Sequence, residues 1–126
     1  REIAQTRSSE TTNPRDVVMM TDTPDAMIQR IEQYFQVSES MTQHMQNTAE
    51  KVRGGYVLFE TRPQRDDPTS PWSKMPVAKL ILHRPSQRWK LYWHRASGRW
   101  FFYSEHAKLA GALKAIKTDR YGCFWG

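Results

Sequence analysis

One stretch of the chain, from Trp89 to Ser104, concentrates the residue types that could bind a flat and negatively charged ligand. Its sequence is WKLYWHRASGRWFFYS, which holds seven aromatic rings, three basic side chains and one histidine. Aromatic rings stack on nucleobases, and lysine and arginine side chains neutralise phosphates. The stretch is therefore either a ring-rich part of the core or a surface suited to single-stranded nucleic acid.

Alternation sorts these rings into two sets, because successive side chains of a β-strand point to opposite faces. The sequence predicts turns at residues 85–88 and 95–98. Counting from these turns pairs Leu82 with Leu91, Ile81 with Tyr92, Tyr92 with Phe101, and Trp93 with Trp100. One face is then apolar and is expected to form the core: Leu80, Leu82, Trp89, Leu91, Trp93, Trp100 and Phe102. The other carries a row of Ile81, Tyr92 and Phe101 among Lys79, His83, Lys90, His94, Arg99 and Tyr103.

We expect this second face to bind nucleic acid. Its cations Lys79, Lys90 and Arg99 would meet phosphates. Its rings Tyr92, Phe101 and Tyr103 would stack on bases, with His94 beside them. An alternative is that another protein or a second copy of the chain covers the same face, with Ile81 near the centre. A third possibility is an enzyme whose pocket lies under the proline-rich loop at residues 63–76.

The charge distribution favours a polyanionic partner. The net charge is +6, but residues 1–51 carry a net of −3. Residues 52–126 hold fourteen Lys/Arg and five Asp/Glu, a net of +9. A basic half attracts nucleic acid, phosphate-bearing ligands or an acidic protein surface. Basic residues also keep a ring-rich sheet soluble, so the charge alone does not decide between these readings.

Other residue types give little indication of catalysis. The single cysteine, Cys123, excludes an internal disulfide and a cysteine-rich zinc site. Cations surround His83 and His94 on the predicted face, which disfavours a metal site. The sequence contains neither a glycine-rich phosphate loop nor a serine-elbow motif. We therefore expect no metal, no cofactor and no catalytic residue, and a binding protein rather than an enzyme.

Nothing in the sequence indicates a membrane segment or an export signal. The first thirteen residues, REIAQTRSSETTN, lack the apolar stretch of a signal peptide. No run of about 18 apolar residues occurs in the chain. We expect a cytoplasmic protein that makes no contact with a membrane.

The elements that position the rings follow from turn residues and hydrophobic spacing. Residues 1–22 are polar and are predicted to form a flexible arm, and residues 23–126 a single domain. TDTPDAMIQRIEQYF predicts a helix, with Thr23 as the N-cap and Pro24 at the first helical position. A second helix is predicted to start at Ser104–His106 and continue through AKLAGALKAIK.

Four strands are predicted between the helices: YVLFETR, VAKLILHR, WKLYWH and RWFFYS. PQRDDPTSPWSKMP, with four prolines in fourteen residues, is expected to be an irregular loop. Residues 43–52 fit a continued helix as well as a polar edge strand, and their periodicity does not decide between the two. The predicted fold class is α+β: an N-terminal helix, a four- to five-stranded antiparallel β-meander and a C-terminal helix.

Several sequence blocks follow one another in a distinctive order: LFETRP, a DP followed by a tryptophan, PVAKLIL, WKLYWHRASGRWFFY and the terminal YGCFWG. This order resembles a small bacterial family, Domain of Unknown Function 3024. The resemblance covers residues 55–126 and implies no activity. It does imply a strand paired with LFETRP just before it, which favours a strand at residues 43–52. Positions that match the family are Glu60, Arg62, Pro63, Pro76, Trp89, Trp93, Arg95, Trp100, Tyr103, Gly122 and Trp125.

Three of the matched positions are charged, which makes a purely structural role less obvious for them. They are Glu60, Arg62 and Arg95. We hypothesise that a buried or half-buried pair of Glu60 and Arg95 clamps the proline-rich loop.

Overall fold

The computed structural model describes residues 24–64 and 69–125. The chain divides into two compact units, residues 1–30 and residues 31–126. The predicted arm at residues 1–22 and the predicted N-cap Thr23 lie outside the described residues. The domain boundary after residue 22 therefore stays a prediction.

Along the chain, one helix precedes a five-stranded sheet and a second helix follows it. Helix α1 spans Pro24–Tyr34, and a short 3-10 turn follows at Glu39–Met41. The strands are β1 Gln46–Val52, β2 Gly55–Arg62, β3 Ser73–His83, β4 Arg88–His94 and β5 Trp100–His106. Helix α2 spans Leu109–Thr118. Every strand pairs antiparallel with its neighbours in the order β1-β2-β3-β4-β5, which confirms the predicted α+β meander.

Residues 46–52 form a strand, as the family resemblance implies. β1 turns into β2 at Arg53 and Gly54, and Gly54 has a φ of 81° that suits glycine. No helix among the described residues is long and apolar enough to cross a membrane.

The face that we call the inner face carries the core. It holds Ala49 of β1, Leu58 of β2, Ala78 and Leu80 of β3, and Leu91 of β4. The largest fully buried side chains come from this face and from the two helices. They are Leu58, Leu80 and Leu91 of the sheet, Ile31 of α1, and Leu113 and Ile116 of α2. Burying each such side chain contributes roughly 1.5–3 kcal/mol, so this face holds the fold together. Helix α2 contacts β4 and β5.

The opposite side of strands β3 to β5 is the outer face. By strand pairing it holds Lys79, Ile81, Lys90, Tyr92, His94, Trp100, Phe102 and Glu105. All four site residues predicted for strands β3 and β4 are on it: Lys79, Lys90, Tyr92 and His94. The assignments on β5 differ from the prediction.

The predicted pairing of β3 with β4 was wrong by two residues, which leaves the faces unchanged. Leu91 pairs with Leu80 rather than Leu82, and Tyr92 pairs with Lys79 rather than Ile81. The four-residue turn lies at residues 84–87, one position earlier than predicted. Gln87 takes a left-handed φ of 56°, and its side chain donates a hydrogen bond to the Arg84 carbonyl at 2.8 Å.

The predicted pairing of β4 with β5 was wrong by one residue, which exchanges the two faces of β5. Tyr92 pairs with Phe102 rather than Phe101, and Trp93 pairs with Phe101 rather than Trp100. The turn holds five residues, 95–99, because Gly98 at φ 85° adds a left-handed residue before Arg99. A bulge opposite Leu91 and Tyr92 shifts the register by one more residue, so that Leu91 pairs with Ser104. Beyond this bulge, the side chains of β5 lie on the faces that the sequence predicted.

The predicted start of the second helix at Ser104–His106 was also wrong. These residues extend β5, and Lys90 and Trp89 pair with Glu105 and His106. The Arg88 Nε donates to the Glu105 carboxylate at 2.5 Å across the same two strands.

At the far end of α2, Asp119 takes a left-handed φ of 47°, and its carboxylate accepts hydrogen bonds from two backbone N–H groups of the chain end.

The irregular loop is shorter than its four prolines indicate. Residues 73–76 belong to β3, where Pro76 lies opposite Phe59 beside a bulge. A bulge tolerates proline because the regular ladder of hydrogen bonds is already interrupted there. Of the connection between β2 and β3, the structure describes residues 63–64 and 69–72.

Candidate functional site

A single row of side chains crosses the outer side of the whole sheet. Strand pairing aligns Glu50, Val57, Lys79, Tyr92 and Phe102, one from each strand in order. The row is acidic at the β1 edge and changes to a lysine followed by two rings towards the β5 edge. His94 and Trp100 pair beside it. The lysine-and-ring part of this surface is the strongest candidate for a binding site.

Lys79 lies against two rings at once. Its Nζ is 4.9 Å from the ring centroid of Trp100 and 5.7 Å from that of Tyr92. An ammonium over an aromatic face is attracted by the electron density of the ring, by about 0.5–1 kcal/mol at exposed sites. The positive charge of Lys79 therefore lies directly beside two aromatic rings of the outer face.

The rings of the outer face stand edge to face rather than in a closed stack. Tyr92 and Phe102 have ring centroids 5.9 Å apart at an interplanar angle of 77°. His94 and Trp100 are 4.8 Å apart at 65°. Phe102 is 56% exposed, which is high for a phenylalanine in the middle of a strand. A planar ligand could reach this ring without any rearrangement of the sheet.

Two lysines of the outer face have no carboxylate at ion-pair distance among the described residues. They are Lys79 and Lys90, whereas Lys74 pairs with Glu50 and Arg88 pairs with Glu105. Lys90 lies between Ile81 and Glu105 in the strand pairing. Unpaired lysines can bind an anion without first breaking an ion pair.

Two residues predicted for this face lie elsewhere. Phe101 packs against Trp93 on the inner side, with ring centroids 5.8 Å apart. Tyr103 packs against Phe124, with centroids 4.8 Å apart. Burial, reinforced by the nearby Cys123, raises the pKa of the Tyr103 phenol above its usual value. Neither ring shares the surface of Lys79 and Tyr92.

Two rings of the outer face were missed by sequence reasoning, which assigned them to the core. They are Trp100 and Phe102. Glycine before a basic residue in RASGR was the available signal for a five-residue turn, since a left-handed glycine closes such turns. Arg99, predicted as a phosphate contact, is exposed in this turn, and its backbone carbonyl accepts a hydrogen bond from the Arg95 N–H at 3.0 Å.

The hypothesised pair of Glu60 and Arg95 does not form. The Arg62 side chain donates to the Glu60 carboxylate at 2.5 Å and 2.8 Å. The Arg95 guanidinium instead lies 5.2 Å from the ring centroid of Phe101 and 5.4 Å from that of Trp93. The ends of the loop are tied by other groups: Gln64 Nε2 donates to the Pro71 carbonyl and Ser73 Oγ to the Arg62 carbonyl.

One pair of side chains on the inner side of β5 has the composition of a nucleophile and a base. The Ser104 hydroxyl and His106 Nε2 share a hydrogen bond of 2.7 Å. Burial, with a smaller effect from the Arg88 charge, lowers the pKa of His106. Gly111 of α2 packs against the same imidazole, and a Cβ there would be 3.3 Å from Nδ1. In the part of the chain that the structure describes, no three His, Cys, Asp or Glu side chains group into a possible metal site.

Comparison with known proteins identifies a family. A family model described as "Domain of unknown function (DUF3024)" matches residues 20–126. No curated protein and no solved structure matches the chain. The match confirms the resemblance inferred from the sequence blocks and extends it towards the N-terminus. The chain belongs to this family, whose description names no activity.

Proposed function

We propose that this member of the DUF3024 family binds single-stranded nucleic acid through its outer face. Lys79 and Lys90 contact phosphates, and Tyr92, Trp100 and Phe102 stack on bases, with His94 beside Trp100. The observation that carries the proposal is the alignment of an unpaired lysine, Lys79, with the rings of Tyr92 and Phe102 across adjacent strands. An antiparallel sheet that presents rings and cations on one face is a recurring platform for unpaired bases.

The arrangement favours a single strand over a duplex. Bases in a duplex stack on one another, so their flat faces are hidden from protein rings. A single strand can splay its bases onto separate rings, and each base contributes roughly 1–3 kcal/mol when it stacks. Releasing Lys79 from the two rings costs about 0.5–1 kcal/mol for each exposed cation–ring contact, which is less than three stacked bases contribute. Transfer of the ammonium to a phosphate then offsets part of that loss.

The proposal is tested by fluorescence anisotropy with labelled single-stranded DNA, single-stranded RNA and duplex DNA over a series of salt concentrations. We expect both single strands to bind more tightly than the duplex. Two lysines that neutralise two phosphates of a single strand give a slope of about −1.4 for the logarithm of the binding constant against that of salt. Equal affinity for the duplex, or no binding at the lowest salt concentration, would contradict the proposal.

A protein–protein interface on the same face is the second candidate, and the exposed Phe102 is the observation in its favour. A two-fold interface between copies would bring their Lys79 and Lys90 side chains into one apolar contact. Bringing unpaired like charges together in a contact that excludes water is unfavourable. A dimer through this face is therefore expected to tighten as salt rises, whereas nucleic-acid binding weakens. Light scattering at the same salt concentrations separates the two candidates.

A further inference from the structure

The outer face carries further cations beyond its rings, at the end of β3 and the start of β4. Three successive residue pairs of this face are Lys79 with Tyr92, Ile81 with Lys90 and His83 with Arg88. We call these six residues, together with the turn at residues 84–87, the basic track. Tyr92 pairs with Phe102 at one end of the track, and the turn forms the other end.

The turn presents chemical groups that suit a phosphate. Arg84 and Ser86 are both exposed to solvent, and the His83 Nδ1 lies 2.7 Å from the Ser86 Oγ. When the imidazole carries its proton on Nδ1, it donates to the serine oxygen, and the hydroxyl proton is then available for a phosphate oxygen. No carboxylate of the described residues lies at ion-pair distance from Arg84. Its guanidinium can therefore bind an anion without first breaking an ion pair.

Hydrogen bonds within the turn hold its backbone in one arrangement. The side-chain Nε2 and the backbone N–H of Gln87 both donate to the Arg84 carbonyl, at 2.8 Å and 3.3 Å. A segment that is already ordered loses less conformational entropy when it binds a ligand. The turn is therefore a preorganised end of the basic track.

Carboxylates lie on both sides of the basic track. Glu50 of β1 belongs to the same row as Lys79, and Glu105 of β5 pairs with Lys90. Each carboxylate already has a cation, because Lys74 pairs with Glu50 and Arg88 with Glu105. A phosphate chain that crossed the sheet towards β1 or β5 would meet a carboxylate rather than an unpaired cation, which is unfavourable. A chain that follows β3 and β4 meets unpaired cations instead.

The length of the basic track suits about four nucleotides. From His94 to Arg88, β4 is about 20 Å long at roughly 3.4 Å per residue. Successive phosphates of a stacked strand lie about 3.4 Å apart, and about twice as far apart when the bases splay onto separate rings. A dinucleotide on the rings therefore stops short of the turn, whereas a strand of about four nucleotides or more reaches both.

We infer that the single strand follows β3 and β4 rather than crossing the sheet, and that the turn binds one of its phosphates through Arg84, His83 and Ser86. The ligand is then an oligonucleotide of at least about four nucleotides, whose bases stack at the end of the track opposite the turn. This inference rests on the proposed function, which assigns roles to the rings and the lysines but none to the turn. The salt slope of about −1.4 for two lysines applies to strands too short to reach the turn, and longer strands have a slope steeper by about 0.7.

The test is fluorescence anisotropy with labelled oligothymidylates, from a dinucleotide to an octanucleotide, over a series of salt concentrations. Arg84→Met removes the charge of the turn and keeps an unbranched side chain. We expect this variant to bind the octanucleotide roughly threefold to tenfold more weakly than the parent chain, with a salt slope shallower by about 0.7. Its affinity for the dinucleotide should be unchanged.

Matched variants make the outcome decisive. Arg120→Met removes an exposed arginine that follows α2, and it should bind the octanucleotide like the parent chain. Ser86→Ala should weaken octanucleotide binding by roughly threefold, as for loss of one hydrogen bond.

Two results would overturn the inference, and they are distinguishable. If Arg84→Met binds the octanucleotide with the affinity and salt slope of the parent chain, while Phe102→Ala still weakens binding, the turn has no role and the proposed function stands. If the parent chain binds no oligonucleotide of any length, the proposed function fails together with this inference.

Discussion

Lys79 contributes both the charge and the ring contacts on which the proposed site depends. Its ammonium lies against Tyr92 and Trp100, the same rings that would accept bases. A base and the ammonium cannot occupy the same ring face. Binding therefore requires the lysine to exchange its ring contacts for a phosphate, which moves the side chain but leaves the strand in place.

Replacing this lysine by methionine tests the exchange. Lys79→Met keeps a flexible apolar stem over the rings and removes the charge. We expect single-strand affinity to fall by roughly threefold to tenfold at moderate salt, and the salt slope to become shallower by about 0.7. Anisotropy titrations of the variant and of Lys114→Met, an exposed lysine of α2, supply the measurement and its control. A salt slope identical to that of the parent chain would show that Lys79 contacts no phosphate.

His106 predicts a dependence of stability on pH. Its pKa in the folded chain is lowered from the ordinary value of 6.5, mainly by burial and further by the charge of Arg88. The unfolded chain therefore binds this proton more readily. The stabilisation from neutral His106 is complete above about pH 6.5 and is lost as the pH falls through the lower folded pKa.

Urea unfolding from about pH 7.5 down to about pH 5 measures this loss. His106→Gln keeps a polar partner for the Ser104 hydroxyl but does not titrate. We expect the free energy of unfolding to decline less steeply with acid in this variant than in the parent chain. Parallel pH curves for the two proteins would rule out a contribution from His106.

The kinds of side chain that form the candidate site could be predicted from the sequence more securely than the face of the sheet on which each one lies. Lys79, Tyr92 and His94 were placed on one face correctly, because alternation within a strand does not depend on the turns. Phe101 and Tyr103 were misplaced because the face of β5 depends on the length of the preceding turn. The left-handed Gly98 lengthens this turn by one residue. Each side chain of β5 before the bulge therefore lies on the face opposite to the predicted one.

At the level of elements, the strands of the meander could be predicted from the sequence and their ends could not. Gly and Pro mark the turns between strands, so the order of the strands is evident. The extension of β5 through Ser104–His106 depends on pairing with Trp89 and Lys90, which are distant in the sequence. Ser, Glu and His also suit the start of a helix, and only the partner strand decides between the two structures.

The pairing of β2 with β3 predicts a strong effect of one glycine. A Cβ built at Gly55 would lie 1.8 Å from the Leu80 carbonyl oxygen, a distance that no relaxation of a side chain can relieve. Gly55→Ala must therefore displace one strand, and we expect it to lower the free energy of unfolding by more than about 4 kcal/mol.

Gly98→Ala is the matched comparison. Gly98 has a φ of 85°, but nothing lies within 4 Å of a Cβ built there. The cost is then conformational strain alone, about 1–2 kcal/mol. Thermal and urea unfolding of both variants measure the difference. Equal destabilisation of the two variants would show that β2 and β3 accommodate a Cβ at Gly55 at little cost, which would contradict this account.

At the level of the whole molecule, the basic part of the chain is also the part that forms most of the sheet. The basic residues are concentrated in residues 52–126, the part of the chain that contains strands β2 to β5 and α2. The family match covers residues 20–126, so it includes both helices and the entire sheet.

The most direct test of the central claim compares two neighbouring phenylalanines of β5. Phe102 lies on the outer face beside Tyr92, and Phe101 lies on the inner side beside Trp93. Both are partly exposed, at 56% and 37%, so each alanine variant is expected to remain folded, which thermal unfolding checks. Anisotropy with labelled single-stranded DNA at low salt then measures the affinity of each variant. We predict that Phe102→Ala weakens binding by roughly tenfold, as for loss of one stacked base, and that Phe101→Ala has little effect. Equal affinities of the two variants, or a larger loss for Phe101→Ala, would contradict the assignment of the binding site to the outer face.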